Sequence, residues 1–147
     1  MNQTYRYDVY LAGPFFTEAQ KLKMSKARSI LEGLGFVIAD PRDLGPVIVE
    51  MSAEARTKEL YSAIYDGNIE GMHQSIMIVA CTDDRDIGTA FEIGYFAALG
   101  RRIFTFSFEG YGSNVMIAQA ANGHARNEYE LKELMSGRKL QKQEATE

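Results

Sequence analysis

Cysteine occurs once in this sequence, at Cys81, and histidine only twice, at His73 and His124. A single cysteine excludes an internal disulfide and fits a reducing cytoplasm. It also removes any cysteine-cluster metal site, and two histidines without a nearby histidine or cysteine are a poor start for a zinc centre. No run approaches the roughly 20 apolar residues that span a bilayer. The opening MNQTYRYDVYLAG lacks the basic start and long apolar segment of a signal peptide. Formal net charge is −4 with no long basic run, which argues against nucleic acid and anionic membrane as partners. A soluble intracellular protein is expected.

What is present suits one globular unit. Hydrophobic residues make up 46% of the 147 and charged residues 24%. A chain of this size buries about two-thirds of the surface it exposes when unfolded. The expected domain covers residues 1–137, followed by a polar tail, RKLQKQEATE, at 138–147.

Along the chain, strand and helix signals alternate. YDVYLA (7–12) reads as a strand ended by Gly13-Pro14. Thr17 can cap a helix whose apolar positions are Leu22, Ala27, Ile30, Leu31 and Leu34. Phe36–Ala39 is a short strand stopped by Asp40-Pro41, and Ser52 opens a second helix reaching about Met72. The continuous apolar run Ile76–Ala80 has the length and character of a central strand covered on both faces. A third helix is expected over Gly88–Leu99, a strand over Ile103–Phe108, a turn at Gly110-Tyr111-Gly112, and helical segments near 114–121 and 127–136. This alternation predicts an α/β fold with a mainly parallel, doubly wound sheet and helices on both faces.

Ligands of such sheets bind outside the carboxyl ends of the strands. That rule gathers the loops 13–17, 40–45, 81–88 and 108–114 on one rim, with Glu92 about one turn into the helix that starts there. Apolar residues nearly surround that helix, which suggests burial between the sheet and another subunit, with Ala90, Ile93, Ala97 and Phe96 turned to the sheet. Two readings of Glu92 are open: a first-turn surface acid favoured by the helix dipole, or a carboxylate placed for chemistry. Asp86 can pair with it in one pocket, or, with Asp83 and Asp84, simply form a solvated turn and a helix cap. Tyr7, Phe15 and Phe16 can stack on a flat ligand or belong to the core. Gly13-Pro14 can bring backbone near a ligand or only make a turn, and Asp40 can be no more than a strand terminator.

Taken together, YLAGPFF (10–16), IYDGNIEGM (64–72), IMIVA (76–80), DIGTAFEIGYFAALGR (86–101) and SNVMIA (113–118) resemble the nucleoside 2-deoxyribosyltransferase family in order and spacing. The long central segment is the specific part. The resemblance implies a flavodoxin-like domain that cleaves the N-glycosidic bond of a 2′-deoxynucleoside and passes the sugar to a free nucleobase, without metal or organic cofactor. It implies that Glu92 attacks C1′ and that Asp86 recognises the 5′-hydroxyl, where nucleotide-cleaving relatives usually carry serine. It further implies a homo-oligomer in which Asn114 reaches into a neighbouring subunit's site. The substrate-binding set expected on this basis is Gly13, Phe15, Phe16, Asp40, Asn68, Gly88 and Asn114. Asn68 departs from the family pattern, because well-known members have an aspartate there to protonate the leaving base. An amide cannot do that at neutral pH, which leaves Asp66, Asp40, water, or hydrogen bonding alone. Two other readings use the same fold: an N-glycosidase with water as acceptor, and a sensor that binds without cleaving.

Overall fold

The apolar run at 76–80 forms the centre of strand β3 (Ser75–Cys81), and all seven of its residues are buried. The computed structural model describes residues 4–47, 51–110 and 114–139. Strand β3 pairs with β1 (Tyr7–Ala12) on one side and β4 (Arg102–Phe106) on the other. Short flanking strands complete the sheet: β2 (Ile38–Ala39) beside β1 and β5 (Gly123–Ala125) beside β4. Every pairing is parallel and the order is β2-β1-β3-β4-β5, the flavodoxin-like arrangement.

Alternation along the strands divides the core into two layers. Val9, Leu11, Met77 and Val79 face helices α1 (Glu18–Gly33) and α5 (Glu128–Met135). Tyr10, Ala12, Ile78 and Ala80 face α2 (Lys58–His73), α3 (Ile87–Ala98) and α4 (Val115–Ala120). The carboxyl ends of β1, β2, β3 and β4 therefore share one rim, as the alternating pattern predicts. No described helix is long and apolar enough to cross a membrane.

Several local expectations shift. Thr17 caps α1 in a reciprocal box with Gln20, but the inward stripe is Met24, Ala27 and Leu31, and Leu22 is exposed. Leu22 lies only two positions from Met24, which puts it on the far side of the helix. Helix α2 starts at Lys58, not near Ser52, because the Thr57 side chain accepts from Leu60 N while Ser52 leads only a 3-10 turn at Ala53–Ala55. Strand β5 has no counterpart in the sequence reading; its three residues carry no periodicity, and Thr105 Oγ1 meets His124 Nδ1 at 2.7 Å across the pair. Tyr111, Gly112 and the expected tail from 140 onward lie outside the described residues. The first two tail residues engage the domain: Arg138 stacks on Phe104 and Lys139 Nζ donates to Gly35 O at 2.7 Å.

Where β1 leaves the sheet, a side chain at Gly13 would sit 2.5 Å from Met24 Sδ and 2.9 Å from Cys81 Cβ. The glycine is thus set by close packing of the loop against α1 and β3. Met24 can move but the Cβ of a buried strand residue cannot, so Gly13→Ala is expected to cost about 1–3 kcal/mol, read by urea denaturation.

Candidate active site

Helix α3 begins at the rim because the Asp86 side chain caps it. Asp86 Oδ2 accepts from Thr89 N at 2.9 Å and from Thr89 Oγ1 at 2.8 Å. Thr89, Ile93 and Phe96 are the buried positions, while Ala90 and Ala97, expected against the sheet, are exposed. The inward stripe is rotated so that Glu92 projects from the flank of α3 that faces β1 and α2.

There the Tyr10 hydroxyl donates to Glu92 Oε2. Tyr10 is fully buried, packs on Phe96 at a ring distance of 6.1 Å, and is overlain by Gly71 of α2. Glu92 is half-buried and held from the sheet, so the surface reading of it does not stand. The helix dipole alone would favour its charged form. Burial dominates instead: it pushes the Glu92 carboxyl up to about 7, opposed by the Tyr10 hydrogen bond and reinforced by the charge of Asp86. Burial and the neighbouring Glu92 charge also raise the Tyr10 phenol, which keeps its proton and remains a donor.

The other rim carboxylates are treated differently. Asp40 is buried and caps the 3-10 turn Pro41–Asp43. It accepts from Arg42 N at 3.0 Å and Arg42 Nη2 at 2.6 Å, and from Arg28 Nη1 at 3.2 Å. Burial would raise its pKa, but Arg42 and Arg28 outweigh burial and hold the carboxyl below its ordinary value. Asp40 is accordingly an anchored anion and an unsuitable proton donor. Asp83, expected in a solvated turn, is fully buried.

The remaining expected residues divide by position. Arg42 lies over the Phe15 ring at 5.9 Å, and Phe15 stacks on the exposed Phe16 at 5.8 Å. Tyr7 sits at the opposite, amino end of β1 and cannot stack on a ligand at this rim. Asn68 lies one turn before Gly71 and Met72 on α2, on the same face as the buried pair. Gly88 is exposed in the first turn of α3, and a side chain there would approach Asp86 Oδ2 at 3.4 Å. Asn114 is exposed and caps α4, its Oδ1 accepting from Met116 N at 2.8 Å and Ile117 N at 3.3 Å. It lines a groove of 780 Å³ between α3 and α4 with Asp86, Ala90, Gly94 and Ala97, on the flank of α3 away from Glu92. Asp86 and Asn114 of the same chain thus share this groove, and Asp86 acts on Glu92, on the other flank of α3, through its charge. His73 and His124 have hydrogen-bonding roles, His73 Nε2 meeting Tyr95 Oη at 2.7 Å and His124 meeting Thr105. Tyr10 is the site residue that sequence reasoning missed. Its signal was there: in YDVYLA it alternates onto the face of Ala12, and a buried tyrosine needs a partner for its hydroxyl.

The family model for nucleoside 2-deoxyribosyltransferases matches residues 9–128. The chain belongs to this family. The 2-deoxyribosyltransferase of the psychrotolerant bacterium Bacillus psychrosaccharolyticus is 27% identical and superposes with a TM-score of 0.75, covering 85% of this chain and 90% of its own. Two more distant structures share the fold. A conserved protein of Enterococcus faecalis V583 is 18% identical with a TM-score of 0.63, covering 86% of this chain and 98% of its own. The CMP N-glycosidase BcmB of Clostridium botulinum is 21% identical with a TM-score of 0.53, covering 86% and 96%. No curated protein sequence matches the chain. Membership in the nucleoside 2-deoxyribosyltransferase family makes glycosyl transfer or glycosidic cleavage the relevant chemistry for the acids at this rim.

A carboxyl whose folded-state pKa lies above its ordinary value holds its proton more tightly in the folded chain. The Glu92 charge therefore costs stability above about 7, and the cost fades as the pH falls toward 4.5. Glu92→Gln can still accept from Tyr10, so it is expected to melt several degrees above the parent at about pH 8 and level with it near about pH 4. Thermal melts across that range check the sign.

Proposed function

We propose that the protein is a nucleoside 2-deoxyribosyltransferase with Glu92 as nucleophile. The observation that carries the reading is a half-buried carboxylate at the ligand rim, held by a hydrogen bond from Tyr10 and pushed up in pKa by burial. A Glu92 oxygen attacks C1′ of a 2′-deoxynucleoside, the C1′–N bond breaks, and the base leaves with the bonding pair and gains a proton. A nitrogen of a second base then attacks C1′ and loses its proton to water, the glycosyl ester breaks, and Glu92 returns to its carboxylate with retained stereochemistry at the sugar. The oxocarbenium-like centre between the two bonds is stabilised by the Glu92 charge.

Asp86 reads the free 5′-hydroxyl in this scheme, and its charge disfavours a 5′-phosphate. Phe15 supports the base, with Phe16, Gly13 and Gly88 shaping the approach. Asn68 hydrogen-bonds the leaving base while water supplies the proton, because Asp40 is held ionised by two arginines and Asp66 is exposed on α2. A glycosyl ester in water hydrolyses, so transfer needs cover. Ile87 is 85% exposed, Phe91 52% and Met116 75%, an apolar surface around the site that suits a second copy of the chain. In that assembly Asn114 serves the neighbour's site, consistent with its position across α3 from its own Glu92.

An N-glycosidase is the second reading, favoured by the same exposure of Phe91, which leaves water a path to the ester in a lone chain. Incubating purified protein with a deoxynucleoside, with and without a second base, separates the two. Exchanged nucleoside is expected when the base is present; free sugar alone at all base concentrations would establish the hydrolase. Glu92→Ala is expected to lower turnover about a thousandfold or more while remaining folded, and normal turnover would remove it as nucleophile. Met116→Glu is expected to dissociate the assembly and reduce exchange together, as read by light scattering and the same assay.

A further inference from the structure

Asp83 has no exposed surface, although it lies in a loop at the rim. Its Oδ1 accepts from Ser107 Oγ at 2.6 Å and Glu109 N at 3.4 Å. Its Oδ2 accepts from Phe108 N at 3.0 Å and lies 2.9 Å from Lys23 Nζ, which also pairs with Glu109 at 3.0 Å. A carboxylate is kept out of water only where its lone pairs are taken in this way. Here they are taken by the β4–α4 loop and by α1, so one side chain joins three elements.

The next two residues are strained. Asp84 has φ of 65° and Arg85 φ of 51°, successive non-glycine residues in the left-handed region. Such a backbone persists where its surroundings over-determine it. Asp83 fixes it from one side, Asp84 accepts from Gln20 Nε2 at 2.9 Å, and Asp86 ends the turn as the cap of α3. What the strained turn determines is the direction of the Asp86 carboxylate.

We infer that Asp83 is a positioning residue: its buried carboxylate clamps the β3–α3 loop, which carries Asp86, to the β4–α4 loop, which leads to Asn114. This rests on the proposed reading in which Asp86 recognises the 5′-hydroxyl. Glu92 is held separately, from β1 through Tyr10. Releasing Asp83 therefore loosens sugar recognition and leaves the bond-breaking group in place. A residue that only stabilised the fold would lower the active fraction for every substrate alike.

The test compares the full chain with Asp83→Asn, using a 2′-deoxynucleoside and its 5′-deoxy analogue. The expected result is a fall of about tenfold in the preference for the 5′-hydroxyl substrate, the size of one hydrogen bond to a charged group, carried by KM more than by kcat. Amide exchange supplies a readout that needs no turnover: the Thr89 amide, capped by Asp86, is expected to exchange faster in the variant while Tyr10 and Phe104 are unchanged. A folded variant with the parent's substrate preference and the parent's Thr89 exchange overturns the inference. If Asp83→Asn does not fold, Ser107→Ala removes one anchor and is read the same way, with a smaller loss expected and no loss overturning it. Absence of any cleavage by the parent would defeat the proposed function alone, and Thr89 exchange would still decide the role of Asp83.

Discussion

The hydrogen bond between Tyr10 and Glu92 joins residues 82 positions apart, and most of the architecture is needed to make it. Strand β1 must lie beside β3, with Tyr10 opposite Ile78, so that the tyrosine sits under the start of α3. Helix α3 must begin at Asp86, one turn and a half before Glu92, for the glutamate to face the tyrosine. Helix α2 must come close enough to cover the ring, and Gly71 on it makes room for Leu44, whose Cδ1 would lie 2.5 Å from a side chain there. The result is a carboxylate placed at the end of a sheet with one neutral donor and much apolar surface around it.

Four acids at this rim show how environment assigns roles to one functional group. Asp40 and Asp83 are buried against cations and several donors, which hold them ionised and make them fasteners. Glu92 is buried against a phenol, and its proton affinity moves the other way. Asp86 keeps Oδ2 on the helix cap and contributes its charge to the Glu92 site. Groups whose pKa values are driven apart in one site are the ones available for different chemical tasks. Glu92 is the one of the four whose carboxyl is pushed up by burial, which suits the role proposed for it.

The sequence was most informative where one physical cause acted alone. The run at 76–80 is apolar because both faces are covered, and it became the central strand. Thr17 and Gln20 form a capping box visible at three-residue spacing. The reading was weaker where several causes competed. Thr57 and Ser52 are both plausible caps, and only the Thr57 side chain bonds the helix. Asp83 looks like any acid in a polar turn, and its burial depends on Ser107 and Lys23, which come from elements 24 residues later and 60 residues earlier in sequence. Glu92 was legible as an anomaly, an acid in apolar company, but its partner required knowing which strand lies next to which. The Asn68 departure was visible in sequence, and the fate of Asp40 as an alternative acid was not, since Arg28 reaches it from α1.

The outer strands are short: β2 contributes two residues and β5 three. An edge this brief offers little template for another chain to extend the sheet by backbone pairing. Growth of the sheet into a neighbouring molecule is thereby discouraged at both margins. The helical faces are left as the surfaces where a second copy would make contact through side chains, which can be specific.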